Sequence, residues 1–457
     1  MYHLGEATPS PAGAAGASDA IRMPPAITAS RTRQLLQFSQ RQIEFVFRAR
    51  REHGEVFTMN GVIAGEVAVT SHPDHVRSLF TADPDQAPSL TAESPLLPIV
   101  GPNSVLTANG PRHLRQRKLL LPPFHGEAIA RYAQMIADAT EREIGDWPLN
   151  RAMALAPRMQ AITLDVILSG IFGVEGRPRR GTPEHRLRLT VASLSAASTS
   201  PLAKLGELMN VGKAEPVGLM RQAVALLDRS VYPIIHARRG VDDLGERTDI
   251  MSLLMRAQTE DGELLSDREL RDELLTLVFA GFETTANSLA WAWERLVRTP
   301  VAYDRLRDAV RSGEQAGEHV EATIVESMRS RPVIPIIGRR VRVPWRLGEY
   351  VVPAGTGIDM SVLLVHHRED IYPDPFAFRP ERWLGRKPGT YEWIPFGGGT
   401  RRCLGAALAM AEQRVVLEAM ARRLDLEAAE PEPEHAQHRN VTMIPAHGAR
   451  VVVRGRR

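Results

Sequence analysis

The segment Pro395-Phe396-Gly397-Gly398-Gly399-Thr400-Arg401-Arg402-Cys403-Leu404-Gly405 holds the one cysteine among 457 residues. Cys403 lies between glycines, beside two arginines, and at the head of an apolar helical pattern over 404–424. A single cysteine rules out a disulfide framework and a zinc site built from several thiolates. Backbone N–H groups at a helix N-terminus and the neighbouring arginine charge favour the thiolate form of Cys403. The glycines let a large, flat group approach the backbone closely. A lone axial thiolate on haem iron meets all of these conditions, and a buried, inert cysteine after a turn is the plain alternative.

Other groups share this chemical character. Ala280-Gly281-Phe282-Glu283-Thr284-Thr285 puts an acid and two hydroxyls among apolar Leu277, Val278, Phe279, Leu289 and Trp291. Glycine weakens a helix there, and a local conflict inside a strong helix marks a functional site. His113 and Arg117 lie four apart, on one helix face. Glu326 and Arg329 lie three apart and can pair, with Arg382 following in Phe378-Arg379-Pro380-Glu381-Arg382-Trp383. His366-His367 does not read as a metal site, because consecutive residues rarely present two ligands to one ion.

These residues need elements to position them. Helical patterns run over 34–53, 113–121, 127–147, 153–172, 187–209, 216–239 and 319–331. Ser266-Asp267-Arg268-Glu269 forms a capping box that opens a long helix ending before Pro300. Residues 55–69 alternate around Asn60-Gly61, a hairpin signal. Short β-like runs occupy 339–357 and 440–453, and 370–395 is an ordered connection with little periodicity. The fold class is mainly α with a small β component.

Composition sets the remaining bounds. With 43% hydrophobic residues the chain can bury a large core, and no linker divides it. A net charge of +3 is too weak to argue for nucleic acid. Residues 1–26, rich in Ala, Gly, Ser and Pro, are expected to be a disordered tail preceding a single domain, 27–457. They lack the apolar core of a signal peptide or membrane anchor. Residues 274–293 have membrane-spanning length, but Glu283, Thr284, Thr285 and Asn287 at their middle point to a buried helix instead.

The spacing F-G-x-G-x-R-x-C-x-G around Cys403 resembles the haem loop of the cytochrome P450 family. Glu326–Arg329 with Arg382, the Ala280–Thr285 stretch, and the helix bearing His113 and Arg117 resemble that family's other motifs, in family order, from about Arg31 to the C-terminus. The stretch from Arg117 through Pro122-Pro123-Phe124-His125-Gly126 looks most like soluble actinobacterial or cyanobacterial members. The resemblance implies a triangular helical domain with haem b between the long central helix and the cysteine-loop helix. It makes Cys403 the axial iron ligand, with Phe396, Gly397, Gly405 and Ala280 against the haem. His113 (where tryptophan is common), Arg117, Arg339 and Arg401 would meet the haem carboxylates, and Arg340 leaves the choice of Arg339 open by one. Gly281 would give bound oxygen room, Thr284 would hydrogen-bond the oxygen or its waters, and Glu283 would relay protons. Glu326, Arg329 and Arg382 would form a structural ion network.

The implied activity is oxygen insertion into a lipophilic small molecule, of terpenoid, steroid, fatty acid or polyketide class. O2 is the oxidant, and electrons come from a separate ferredoxin and its NAD(P)H-fed reductase. Arg112, Arg115, Lys118, Arg402 and Arg414 could steer an acidic carrier or form an ordinary solvated face. Residues 96–105, 333–337 and 441–444 read as apolar pocket walls. A cytoplasmic monomer without membrane anchor is expected. A peroxide-driven hydroxylase of the same fold and a haem-thiolate sensor without turnover are the alternatives. The Glu283-Thr284 pair speaks against the former and the pocket walls against the latter.

Overall fold

The computed structural model describes residues 9–16, 19–61, 65–124, 126–258 and 262–457. Residues 1–8 and 17–18 of the expected tail, 62–64 of the hairpin, and His125 lie outside these. Helices dominate, with short strands in small sheets. The centre of the molecule is the helix Asp267–Val297, opened by the Ser266/Glu269 capping box that its sequence encodes. It packs along Leu155–Phe172, and nearly every residue of that partner is buried. Leu155–Phe172 is the one helix among the described residues long and apolar enough to cross a membrane, and it lies in the core.

The principal sheet orders Phe57–Asn60, Glu66–Thr70, Gly357–Ser361 and Ile336–Arg340. Its third strand runs parallel to the second and antiparallel to the fourth. The helix Ala316–Ser330 leads into the fourth strand and the helix Ala406–Arg423 follows the cysteine loop; the two pack together and on the central helix.

The structure corrects several expectations. Helix 34–53 is two helices, Arg31–Gln40 and Gln42–His53, broken at Arg41. Helix 187–209 is likewise two, Pro183–Ala197 and Pro201–Asn210, the second capped by Ser200, whose side chain accepts from the Ala203 N–H. The tail is not disordered where it is described. Ala12–Ala14 pairs antiparallel with Trp345–Leu347. Ala26 bridges to Thr58, and ion pairs join Asp19 to Arg346 at 2.8 Å and Arg22 to Glu349 at 2.7 Å. Its composition is that of a coil, but a distant sheet edge supplies the backbone partners it lacks locally.

Candidate active site

The cysteine loop folds tightly. The Cys403 N–H donates to the Phe396 carbonyl at 2.9 Å and Gly397 N–H to Ile394 at 3.0 Å. Gly397 and Gly399 adopt φ of 68° and 61°, where a side chain is strained. A Cβ at Gly398 or Gly399 would collide with Phe80, so this run needs glycine for packing as well as for conformation. Gly405 precedes the helix and accepts from Ala409 N–H at 2.8 Å.

Cys403 has open surface, yet burial pushes its thiol above its ordinary value, outweighing the Gly405 N–H, Arg117 and Arg402. The expectation that local charge alone holds a thiolate is corrected: desolvation wins, and metal ligation is what deprotonates a buried thiol.

Four basic groups converge beside the loop. His113 is buried and its pKa falls to about 3, through desolvation first and then Arg401, Arg117 and Arg339. Arg339 is 5% exposed and its side chain donates to the Gly338 carbonyl alone, at 3.1 Å, while lying over the Phe80 ring. Burial lowers it to about 10. Arg401 is lowered to about 10 by burial, Arg339 and Arg117, and donates to the Val105, Leu106 and Ala108 carbonyls and to Asn109 Oδ1. Arg117 donates to the Arg402 carbonyl at 2.7 Å. Among the described residues no carboxylate pairs with Arg339 or Arg401. Arg340, by contrast, is paired with Glu93 at 2.6 Å, which leaves Arg339 as the available cation. Buried cations without counter-charge are costly, so the cluster suits a ligand bearing carboxylates. With one sulfur ligand and a glycine-lined approach, the residues fit haem.

The middle of the central helix carries the second group of candidate residues. Ala280 is exposed although Leu277, Val278 and Phe282 around it are buried. Thr284 Oγ1 donates to the Ala280 carbonyl at 2.8 Å, and Asn287 to the Glu283 carbonyl at 2.9 Å. Such back-bonding satisfies hydroxyls and amides inside a helix. A Cβ at Gly281 would lie 2.6 Å from Ile167 Cδ1, so helix packing also calls for a residue without a side chain there. Glu283 is pinned: its Oε1 accepts from Arg439 Nε at 2.9 Å and from Thr442 Oγ1 at 3.2 Å, and it forms an ion pair with Arg439, whose Nη2 lies 2.8 Å away. Arg439 and Thr442 sit on the hairpin of Ala436–Arg439 and Thr442–Pro445, 156 residues or more along the chain, and no local signal reveals them.

The three wall segments are tied to this region. Asn103 N–H donates to Asp272 at 3.1 Å and Val105 N–H to Glu273 at 3.1 Å, both acids on the central helix. Met443 N–H donates to Val333 at 2.7 Å, and Trp291 Nε1 to the Met443 carbonyl at 3.0 Å.

Glu326 lies fully buried and accepts five hydrogen bonds: from Arg329 Nε at 2.8 Å and Nη2 at 2.9 Å, Arg382 Nε at 3.2 Å, Arg379 N–H at 2.8 Å and Trp383 Nε1 at 2.9 Å. Arg329 also donates to the His366 and Pro375 carbonyls at 2.8 Å. His366 Nε2 accepts from Ile394 N–H at 2.8 Å, just ahead of the cysteine loop. His367 Nδ1 lies 2.8 Å from the Leu363 carbonyl, so both histidines hold backbone. The sequence reading missed Trp383 as a member of this network.

Comparison with known proteins agrees with this geometry. The family model for cytochrome P450 matches residues 24–452. A putative cytochrome P450 138 of Mycobacterium tuberculosis is 37% identical over 448 residues, covering 97% of this chain and 99% of that protein. A putative cytochrome P450 137 of the same organism is 38% identical over 410 residues, 89% of this chain and 84% of the other. The solved structure of retinoic acid bound cyanobacterial CYP120A1 aligns with a TM-score of 0.78 at 20% identity, covering 95% of this chain and 100% of that one. The chain belongs to the cytochrome P450 family. It has the P450 fold, and family membership makes it a haem-dependent monooxygenase.

Proposed function

We propose that this chain binds haem b and inserts one oxygen atom of O2 into a lipophilic small molecule, of terpenoid, steroid, fatty acid or polyketide class. Its electrons come from a separate ferredoxin and an NAD(P)H-dependent reductase, and it works as a cytoplasmic monomer. The observation that best supports this is the pair of desolvated cations without counter-charge, buried Arg339 and half-buried Arg401, beside neutral His113 and a lone cysteine in one glycine-lined loop.

Haem, when bound, supplies the activation of O2 and the transfer of oxygen. Cys403 Sγ would be its iron ligand, with Phe396, Gly397 and Gly405 around it. His113 would donate one N–H, and Arg117, Arg339 and Arg401 their guanidinium N–H groups, to the two carboxylates. The small side chain of Ala280 would let the group come close to the central helix. Thr284 can release the Ala280 carbonyl and turn its hydroxyl proton towards a water. Glu283 can supply protons once it loosens from Arg439 and Thr442. The apolar walls exclude bulk water. On the cysteine side Arg115, Lys118 and Arg402 are exposed and can meet an acidic carrier. Arg414 instead pairs with Glu321, and Arg112 donates to Asn103 at 2.5 Å, which reduces their part in that face.

Replacing Cys403 with Ala should abolish the thiolate-type absorption of the reduced, carbon monoxide-treated protein. A thiolate band that survives sinks the assignment. Turnover with a surrogate ferredoxin and reductase tests the electron source.

A further inference from the structure

The segment 101–109 forms neither helix nor strand, yet Gly101, Ser104, Val105, Thr107 and Ala108 are buried. Buried backbone outside a helix or sheet needs other partners. Two buried acids on the central helix supply them. Asp272 Oδ2 accepts from Asn103 N–H at 3.1 Å and from Asn103 Nδ2 at 3.0 Å. Both oxygens of Glu273 accept from Val105 N–H, at 3.1 and 3.2 Å. One turn further along, the hydroxyls of Thr276 and Ser104 lie 2.6 Å apart. The approach is so close that a Cβ at Gly101, where φ is 84°, would collide with the Asp272 carboxylate.

The same segment meets the basic cluster. Arg401 Nη1 donates to the Val105 carbonyl at 3.3 Å and the Leu106 carbonyl at 3.4 Å, and Nη2 donates to the Ala108 carbonyl and Asn109 Oδ1. Val105 is thus gripped twice: at its N–H from the central helix, and at its carbonyl from the cysteine loop. Asn109 Oδ1 also accepts from Ser89 N–H at 3.3 Å, and Ser89 forms an isolated antiparallel bridge with Arg339. The helix Gly110–Leu120, which carries His113 and Arg117, starts at the next residue. Each basic group of the cluster is therefore tied to this one segment or continuous with it.

We propose that Asp272 and Glu273 are positioning residues for the cofactor: through the backbone of 101–109 they set Arg401, and the start of the helix bearing His113 and Arg117, to receive the two haem carboxylates. This deepens the haem reading and rests on it. The two acids act at one remove. An acid placed directly on Arg401 would neutralise it and compete with the ligand. Asp272 and Glu273 instead accept from backbone N–H groups, so the segment is held firmly while the cations stay without counter-charge.

The test titrates the full-length apoprotein with haem, read by absorption, and follows hydrogen exchange of the 101–109 amides independently. Glu273→Leu should speed exchange at Val105 and lower haem affinity about tenfold, the worth of about one charge-assisted bond. Glu273→Gln keeps an oxygen for the Val105 N–H and should stay within about twofold of the wild-type affinity. In an Arg401→Leu background the Glu273→Leu loss should shrink to about threefold or less, because part of it acts through Arg401. The same tenfold loss in both backgrounds is general destabilisation and overturns the proposal. So does faster exchange with unchanged haem affinity. Should Glu273→Leu fail to fold, Thr276→Val removes the tie to Ser104 at nearly the same shape and should give the same pattern at about threefold; unchanged affinity there overturns the proposal as well. A wild-type protein that binds no haem sinks the haem reading, and the proposal with it, and is told apart from the other failures by the wild-type titration alone.

Discussion

Two clusters of buried charge lie within the same protein and differ in one respect. Around Glu326 every group is answered: one carboxylate takes five donors, and Arg329 gives its remaining protons to backbone carbonyls. Around neutral His113, the cations Arg339 and Arg401 face one another, and no acid answers them among the described residues. Burial is similar in the two places. A completed network holds a frame, whereas an incomplete one asks for a ligand. The sequence shows charged residues at both sites and does not show this difference, because it lies in the partners.

The largest effect is expected in the completed cluster. Glu326→Ala leaves Arg329 buried without its partner and should cost about 3–5 kcal/mol, seen as a large fall in melting temperature and loss of haem incorporation. A melting temperature near that of the wild type would break the contrast. In the incomplete cluster the sign should differ between loading states. Arg339→Leu should leave the apoprotein as stable as before or more so, while haem affinity falls by about tenfold to a hundredfold, the worth of one or two charge-assisted bonds. Parallel thermal melts of apo and holo protein check this, and an equal loss in both would place Arg339 in the frame.

Gly281 sharpens the comparison at a steric contact. Gly281→Ala should destabilise by about 1–3 kcal/mol through overpacking on Ile167, and Ile167→Val should recover part of it. Unchanged stability with altered ligand spectra would leave Gly281 to the oxygen site alone. Glu283→Gln can keep a hydrogen bond from Thr442 or Arg439 but leaves the buried Arg439 without its counter-charge, so the change should be about 1–3 kcal/mol. The fraction of electrons released as peroxide should also rise. Unaltered coupling would exclude Glu283 from proton supply.

Much of the architecture was legible because it rests on local chemistry. The capping box at Ser266, the glycines around Cys403 and the Glu326–Arg329 spacing each carry their own physical reason. The apolar flanks of Glu283 and Thr284 correctly marked a buried helix. What stayed hidden depends on residues far apart in the chain. Arg439 meets Glu283 across 156 positions; Ile167, on another helix, packs where a side chain at 281 would lie; Ala12–Ala14 becomes a strand because Trp345–Leu347 has a free edge. The break before Pro201 was readable, since Ser200-Pro201 is a good helix start, but the continuous apolar pattern outweighed it.

The Glu326 cluster also has a topological consequence. Its bonds to Arg382 and Trp383 close loops of 56 and 57 residues, and closing such a loop costs an unfolded chain on the order of 3–4 kcal/mol in entropy. Many proteins tie remote segments of this kind with a disulfide. Here the chain's single thiol is the proposed iron ligand, so a carboxylate acts as the staple. Unlike a disulfide, that staple holds in a reducing environment.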